Sequence, residues 1–222
     1  MTENQNGPAD RQNGRILVAN SSILAGMLSV YAGLWIAMAI DPIDRADWLV
    51  ENILSLALIA LLTATYRRFE LSLWSYLLIT AFLALHTVGA HYTYAKVPAG
   101  FWVQDLLHLS RNPFDRMVHG AYGLLLVYPI REVLVRLTGL KGFWADYLPV
   151  SMVLAQSGLF EVIEALVASR VSPELGAAYL GTQGDEWDAQ KDMVAALLGA
   201  IATTSVTRMV RTFCPPSVTR AR

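Results

Sequence analysis

Apolar residues run through this chain in six long blocks, with short polar breaks between them. The blocks cover about residues 16–40, 48–66, 71–90, 115–137, 147–169 and 189–210. Each is close to the roughly 20 residues that a helix needs to cross the hydrocarbon core of a bilayer. The first carries no charge. The second has Glu51 and Asn52 at its start, and the third ends near His86. The fourth is the weakest, because Arg131 and Glu132 interrupt its far end. The fifth holds Glu161 and Glu164 inside an apolar run. Asp41-Pro42, Pro98-Ala99-Gly100, Asn112-Pro113 and Ser172-Pro173 lie between blocks and disfavour continued helix. The pattern predicts an all-α polytopic membrane bundle of about six transmembrane helices. Residues 1–15 form a polar tail without predicted structure, 16–213 the membrane domain, and 214–222 a short basic tail. The first block is too long for a signal-peptide core of roughly 7–15 residues and is read as an uncleaved helix.

Composition agrees with this reading. Of the 222 residues 55% are hydrophobic and 16% charged, with a mean hydropathy of +0.41. Soluble domains carry about 25% charge. A net charge of −1 supplies no basic excess for nucleic acid. The single cysteine, Cys214, excludes an internal disulfide and a Cys-based zinc site.

Lysine and arginine in the loops set the expected orientation. With both termini cytoplasmic, eleven of the seventeen basic residues fall inside: Arg11, Arg15, Arg67, Arg68, Arg131, Arg136, Lys141, Arg208, Arg211, Arg220 and Arg222. The acids lean the other way. Thirteen of eighteen fall on the outer side, together with all four histidines. The end of span three, the start of span four, the end of span five and the start of span six therefore share one membrane level.

Helical spacing then groups the polar residues. Positions three or four apart share a face, which pairs Asp115 with His119, Glu161 with Glu164, and Asp188 with Asp192, with Asp185 one turn before. His86 joins from span three. A carboxylate deep in a membrane helix costs roughly 2.5–3.5 kcal/mol on insertion scales and usually faces the bundle interior. Several together repel one another and need metal, protons, Arg or Lys. Arg116 and Lys191 each adjoin an acid and so are expected on other helix faces, away from the interior set. Carboxylates with imidazole suit Zn, Mn or Fe. The blander alternative is that Asp115 and Asp188 are first-turn acids that complement the helix dipole. His91, Asp105 and His108 are expected in a solvated loop. Trp48, Trp74, Trp102, Trp144 and Tyr147 lie near span ends and are expected as interfacial anchors.

Four segments resemble the YjdF-like bacterial inner-membrane proteins, in the same order. They begin at His86 (through His91, Tyr92 and Tyr94), at Asp115 (through Arg116, His119 and Gly120), at Glu161 (through Glu164), and at Gly181 (through Gly184, Asp185, Trp187, Asp188, Gln190, Lys191 and Asp192). The last is the most specific, and the resemblance covers most of residues 16–210. It implies a multi-pass protein of the inner membrane and no particular reaction. A weaker likeness is to VanZ-like proteins, whose Asp-basic-x-x-His helix start matches Asp115, Arg116 and His119. Their acid in the next span matches Glu161, and their spaced pair before the last span matches Asp188 and Asp192. This chain departs from that pattern with Glu164 in place of Gln and Asp192 in place of Asn.

The leading expectation is an outward-facing polar pocket that binds a divalent metal and serves a hydrolase or transferase acting on a lipid-linked substrate. His86, Asp115, His119, Glu161, Glu164, Asp185, Asp188 and Asp192 are the candidate ligands or their supports. His91, Arg116 and Lys191 are the candidate substrate-binding groups. A proton- or ion-coupled transporter and a non-enzymatic membrane scaffold or envelope factor stand as alternatives. Against a transporter, Glu132 is the one acid on the inner half of the spans, and no inverted repeat is visible.

Overall fold

A computed structural model describes residues 8–180 and 182–213. Among the described residues eight helices follow one another: α1 (Pro8–Ala39), α2 (Arg45–Thr65), α3 (Leu73–His91), α4 (Pro98–Leu107), α5 (Phe114–Thr138), α6 (Trp144–Ala168), α7 (Pro173–Leu180) and α8 (Asp188–Phe213). Six of these are long and apolar enough to span a bilayer, namely α1, α2, α3, α5, α6 and α8. They match the six expected blocks, and no strand occurs among the described residues. α1 starts earlier than expected, so residues 8–15 of the predicted polar tail have helical backbone. Residues 1–7 and the expected basic tail with Cys214 lie outside the described residues.

Two short helices replace what the sequence left as loops. α4 starts at Pro98, where a missing N–H costs nothing, and stops at His108, whose φ of 52° is left-handed. Asp105 is thus helical and His108 is an exposed helix cap. α7 likewise opens on a proline, Pro173. The long helices end for local reasons. The Asp44 side chain accepts from the amides of Ala46 and Asp47 to start α2. Ser72 accepts from the Ser75 amide to start α3, and Gly139 with φ 70° closes α5. Pro129 and Pro149 sit inside α5 and α6, as membrane helices tolerate.

α5 and α8 make the closest pairing. A Cβ at Gly123 would fall on the Ala196 carbonyl oxygen, and one at Gly199 on that of Gly120. Only glycine lets the two backbones meet there, the small-residue logic of membrane helix packing. Val127, Val153, Ala196 and Ala200 fill the adjoining core among α5, α6 and α8. A second core of Tyr31, Leu71, Ile79, Leu83 and Leu126 joins α1, α3 and α5. Exposed leucines, isoleucines and valines cover the remaining helix faces, as expected where lipid is the solvent.

Trp74, Trp102, Trp144 and Tyr147 are exposed, as interfacial anchors should be. Trp48 is not: it is buried against Trp35, with ring centroids 5.3 Å apart. It belongs to the α1–α2 contact, where Trp35 Nε1 also donates to Asn52 Oδ1 at 2.6 Å.

At the end of the bundle holding the α2–α3 and α5–α6 connections, Glu132 explains itself. Its carboxylate accepts from the Ser72 amide (2.8 Å), the Ser72 and Ser75 hydroxyls (2.7 and 2.5 Å) and Arg136 (2.8 Å). The acid that weakened the fourth block is the clasp that holds the start of α3.

Candidate functional site

At the other end the acids gather, and they fall into two groups. The first is neutralised. Arg116 Nη2 lies 2.7 Å from Asp188 and 3.3 Å from Asp185, while its Nε lies 3.3 Å from Asp192. Arg111, buried in the turn before α5, pairs with Asp188 and donates to the Thr182 carbonyl at 2.9 Å. Lys191 Nζ reaches Asp185 at 2.7 Å. Three cations thus meet three carboxylates. This corrects the expectation that Arg116 and Lys191 point away from the interior acids. Adjacency to an acid fixed where each side chain starts, but the long stems bend across to the α7–α8 connection. Lys191 above all, with the Trp187 amide and Arg116, holds the Asp185 carboxyl down at about 2.

The same connection is pinned by a reciprocal pair. Gln183 Oε1 accepts from the Asn112 amide, and its Nε2 donates to the Asn112 carbonyl, both at 3.0 Å. Asn112 in turn donates to the Val97 carbonyl and accepts from the Phe114 amide. The most specific sequence segment therefore ties the start of α8 to the start of α5.

The second group has no such partners. Asp47, Glu51, Asp115, Glu161 and Glu164 are buried or nearly so, and among the described residues none forms an ion pair with Lys or Arg. Both carboxylate oxygens of Asp47, Oε2 of Glu51 and Oε1 of Glu161 lack any hydrogen-bond donor. His119 Nε2 faces two of these acids, 3.7 Å from Asp115 Oδ1 and 3.5 Å from Glu161 Oε1. Its Nδ1 lies 3.5 Å from the Ser157 hydroxyl. Asp115, His119 and Asp192 bring one ligand atom each within 4.8 Å of one another. A tetrahedral site with bonds of about 2.1 Å has ligand–ligand edges of about 3.4 Å. The 3.7 Å between His119 and Asp115 is close to that edge.

Not every candidate joins this centre. His86 is committed on both ring nitrogens: Nε2 donates to the Glu51 carbonyl at 3.0 Å, and Nδ1 accepts from the Tyr94 hydroxyl at 2.5 Å. Burial pushes the Tyr94 phenol up, which keeps it a donor. His86 therefore braces the site through Tyr94 and α2. His91 Nδ1 donates to the Met38 carbonyl at 2.9 Å, which ties α3 to the end of α1. Asp185 and Asp188 are taken up by Arg111, Arg116 and Lys191.

Three participants escaped sequence reasoning. Asp47 and Glu51 are four apart on one face of α2, and their spacing was the available signal. Arg111 sits in a turn, and nothing in its neighbours marks it as buried.

Below the acids lies a cavity of about 290 Å³ among α2, α3, α5 and α6. Asp115, His119, Glu164, His86 and Tyr94 line its polar end, and Leu58, Phe82, Leu83 and Leu126 line the rest.

A family model described as a predicted membrane protein (DUF2238) matches residues 23–212. The inner membrane protein YjdF of Escherichia coli K12 is 40% identical over 190 residues, covering 84% of this chain and 87% of that protein. No solved structure matches. The resemblance drawn from the four motif segments is borne out, and the chain belongs to the DUF2238 family of predicted membrane proteins.

Proposed function

We propose that this multi-pass inner-membrane protein is a metal-dependent enzyme acting on a lipid-linked substrate. The observation that carries the reading is the convergence of Asp115, His119 and Asp192 within 4.8 Å at the polar end of an otherwise apolar cavity. The charge balance points the same way. Five acids without a lysine or arginine partner among the described residues each cost several kcal/mol when ionised away from water, and a divalent cation among them would remove much of that cost.

A metal held there would supply a water whose pKa falls to about 7, a nucleophile at neutral pH. Asp115, His119 and Asp192 would hold the metal, and Ser157 orients the His119 imidazole from its Nδ1 side. Glu161, beside His119 on the α6 side, would accept a proton from a water bound there. Glu164 and the committed His86–Tyr94 pair shape the wall against which the substrate's polar head rests. Arg116 keeps its place as the counter-charge to Asp188 and Asp192, which limits the negative charge around the metal. Zn, Mn and Fe all suit a carboxylate–imidazole set.

Elemental analysis of protein purified without chelator is the test. The expected result is close to one equivalent of a divalent metal per chain, with His119→Ala and Asp115→Asn lowering affinity at least as much as the 10–100-fold typical of outer-shell changes. Protein without metal, or variants with unchanged content, overturn the reading.

A further inference from the structure

One side of the cavity lies between α2 and α6, which α7 bridges. α2 packs against α3 and α7, and α6 packs against α5, α7 and α8. Between α2 and α6 the rim is formed by Leu54 and Leu159, which line the cavity and are also exposed to the outside of the bundle. In a membrane that outside is hydrocarbon.

The cavity also has a defined depth. Eleven residues of α5 separate Asp115 at its polar end from Leu126 at its floor, about 16 Å at 1.5 Å per residue. That is about half of a 30 Å hydrocarbon core. Near that depth Tyr122 and Gln156 satisfy each other through a 2.5 Å hydrogen bond. A water in the lower half would find few partners, while an empty apolar space forfeits dispersion contacts. Hydrocarbon meets both conditions. A volume of about 290 Å³ is at the lower end of small-molecule sites, about 300 Å³, and suits one chain rather than two.

We propose that the cavity takes a single hydrocarbon chain of a membrane lipid, which enters sideways from the bilayer between α2 and α6 and so holds the lipid's polar head against Asp115, His119 and Glu164. This deepens the reading of a lipid-linked substrate and rests on it. It adds the route and the recognised part: the tail is the handle, and the head is delivered from within the membrane rather than from water.

The test is photolabelling of the full-length protein reconstituted in phosphatidylethanolamine–phosphatidylglycerol vesicles. The probe is a phosphatidylethanolamine with a diazirine midway along one acyl chain. Leu83 and Leu126 are buried within the bundle, 5% and 8% exposed, and Leu198 at 60% reports ordinary lipid contact. The expected result is adducts on Leu83 and Leu126 as well as Leu198. Ser55→Trp puts a bulky ring at the α2 side of the cavity. It should reduce the cavity adducts about tenfold, equivalent to about 1.4 kcal/mol of occupancy, with Leu198 unchanged. Leu159→Trp serves the same purpose from α6 if the first variant does not fold. Adducts confined to Leu198 and other exposed positions, or cavity adducts indifferent to both variants, overturn the proposal. Labelling is repeated after chelation. Cavity adducts in metal-free protein keep the chain site standing even if no metal is ever found. Bound metal without cavity adducts removes the chain site alone.

Discussion

Two groups of buried acids in this bundle are treated in opposite ways. At one end Glu132 accepts four donors from Ser72, Ser75 and Arg136. Asp146 nearby meets Arg131 at 3.1 Å and Arg211 at 3.3 Å. At the other end, among the described residues, Asp47, Glu51, Asp115, Glu161 and Glu164 have no lysine or arginine partner, and several of their oxygens have no donor at all. A buried carboxylate in a membrane helix is therefore not a functional mark by itself. Glu132 is as inconvenient to the sequence pattern as Glu164, yet its partners account for it fully. What separates the two groups is whether the charge is answered from within the chain, as it also is for Asp185, Asp188 and Asp192.

Mutations can break that distinction, and the largest effect should come from the border between the two groups. Arg111→Met leaves Asp188 with one guanidinium where it had two and strips the Thr182 carbonyl of its donor. Removing one partner of a buried ion pair costs about 3–5 kcal/mol, read as a loss of thermal stability in detergent. Glu132→Gln comes next. It weakens hydrogen bonds made to a charged acceptor, each worth about 1.5–3 kcal/mol, and should lower the melting temperature clearly while leaving bound metal unchanged. Glu164→Gln is the counterpart at the open end. With no counter-ion to lose, the protein should not lose stability, while lipid-head or metal binding weakens. If Glu164→Gln destabilises as much as Glu132→Gln, the acid has a structural partner and the contrast between the two groups collapses. The smallest effect is expected from Lys191→Ala. Asp185 sits near 2, below its ordinary 3.8, chiefly through Lys191. The stabilisation from a depressed carboxyl is complete above the ordinary value and is lost as pH falls through the depressed one. Acid titration should therefore show the α7–α8 connection holding to about pH 2 in the wild type and releasing at higher pH in the variant, followed by amide exchange at Thr182 and Gln183.

Much of the architecture was legible because lipid imposes it. Six apolar runs of the right length admit few other folds, and their limits agree with the helices to within a few residues, apart from the longer start of α1. The grouping of Asp115, His119, Glu161, Glu164, Asp188 and Asp192 at one end followed from helix period and alternation of direction. What escaped was everything set by side-chain reach across chain breaks. Arg111 and Arg116 find their acids on the far side of the α7–α8 connection, and no local spacing encodes that. His86 looked like a ligand from its position, but Tyr94, eight residues on and beyond the end of α3, folds back to occupy it. Trp48 looked interfacial from its place in the sequence, and only the approach of Trp35 buries it. Asp47 and Glu51 had the same spacing as the pairs that were singled out.

The glycine contact between α5 and α8 also governs which acids this site can employ. Where Gly123 and Gly199 bring two backbones together, a short side chain spans the gap, and the carboxylates on those helices that approach His119 are aspartates, Asp115 and Asp192. α6 has no such glycine seam with α5, and the acids it sends to the same centre are glutamates, Glu161 and Glu164, one methylene longer. Lengthening Asp192 by one carbon, or widening the α5–α8 seam, would misplace the same oxygen by a similar distance in opposite senses, so the seam and the carboxylate are adjusted to each other as one measure.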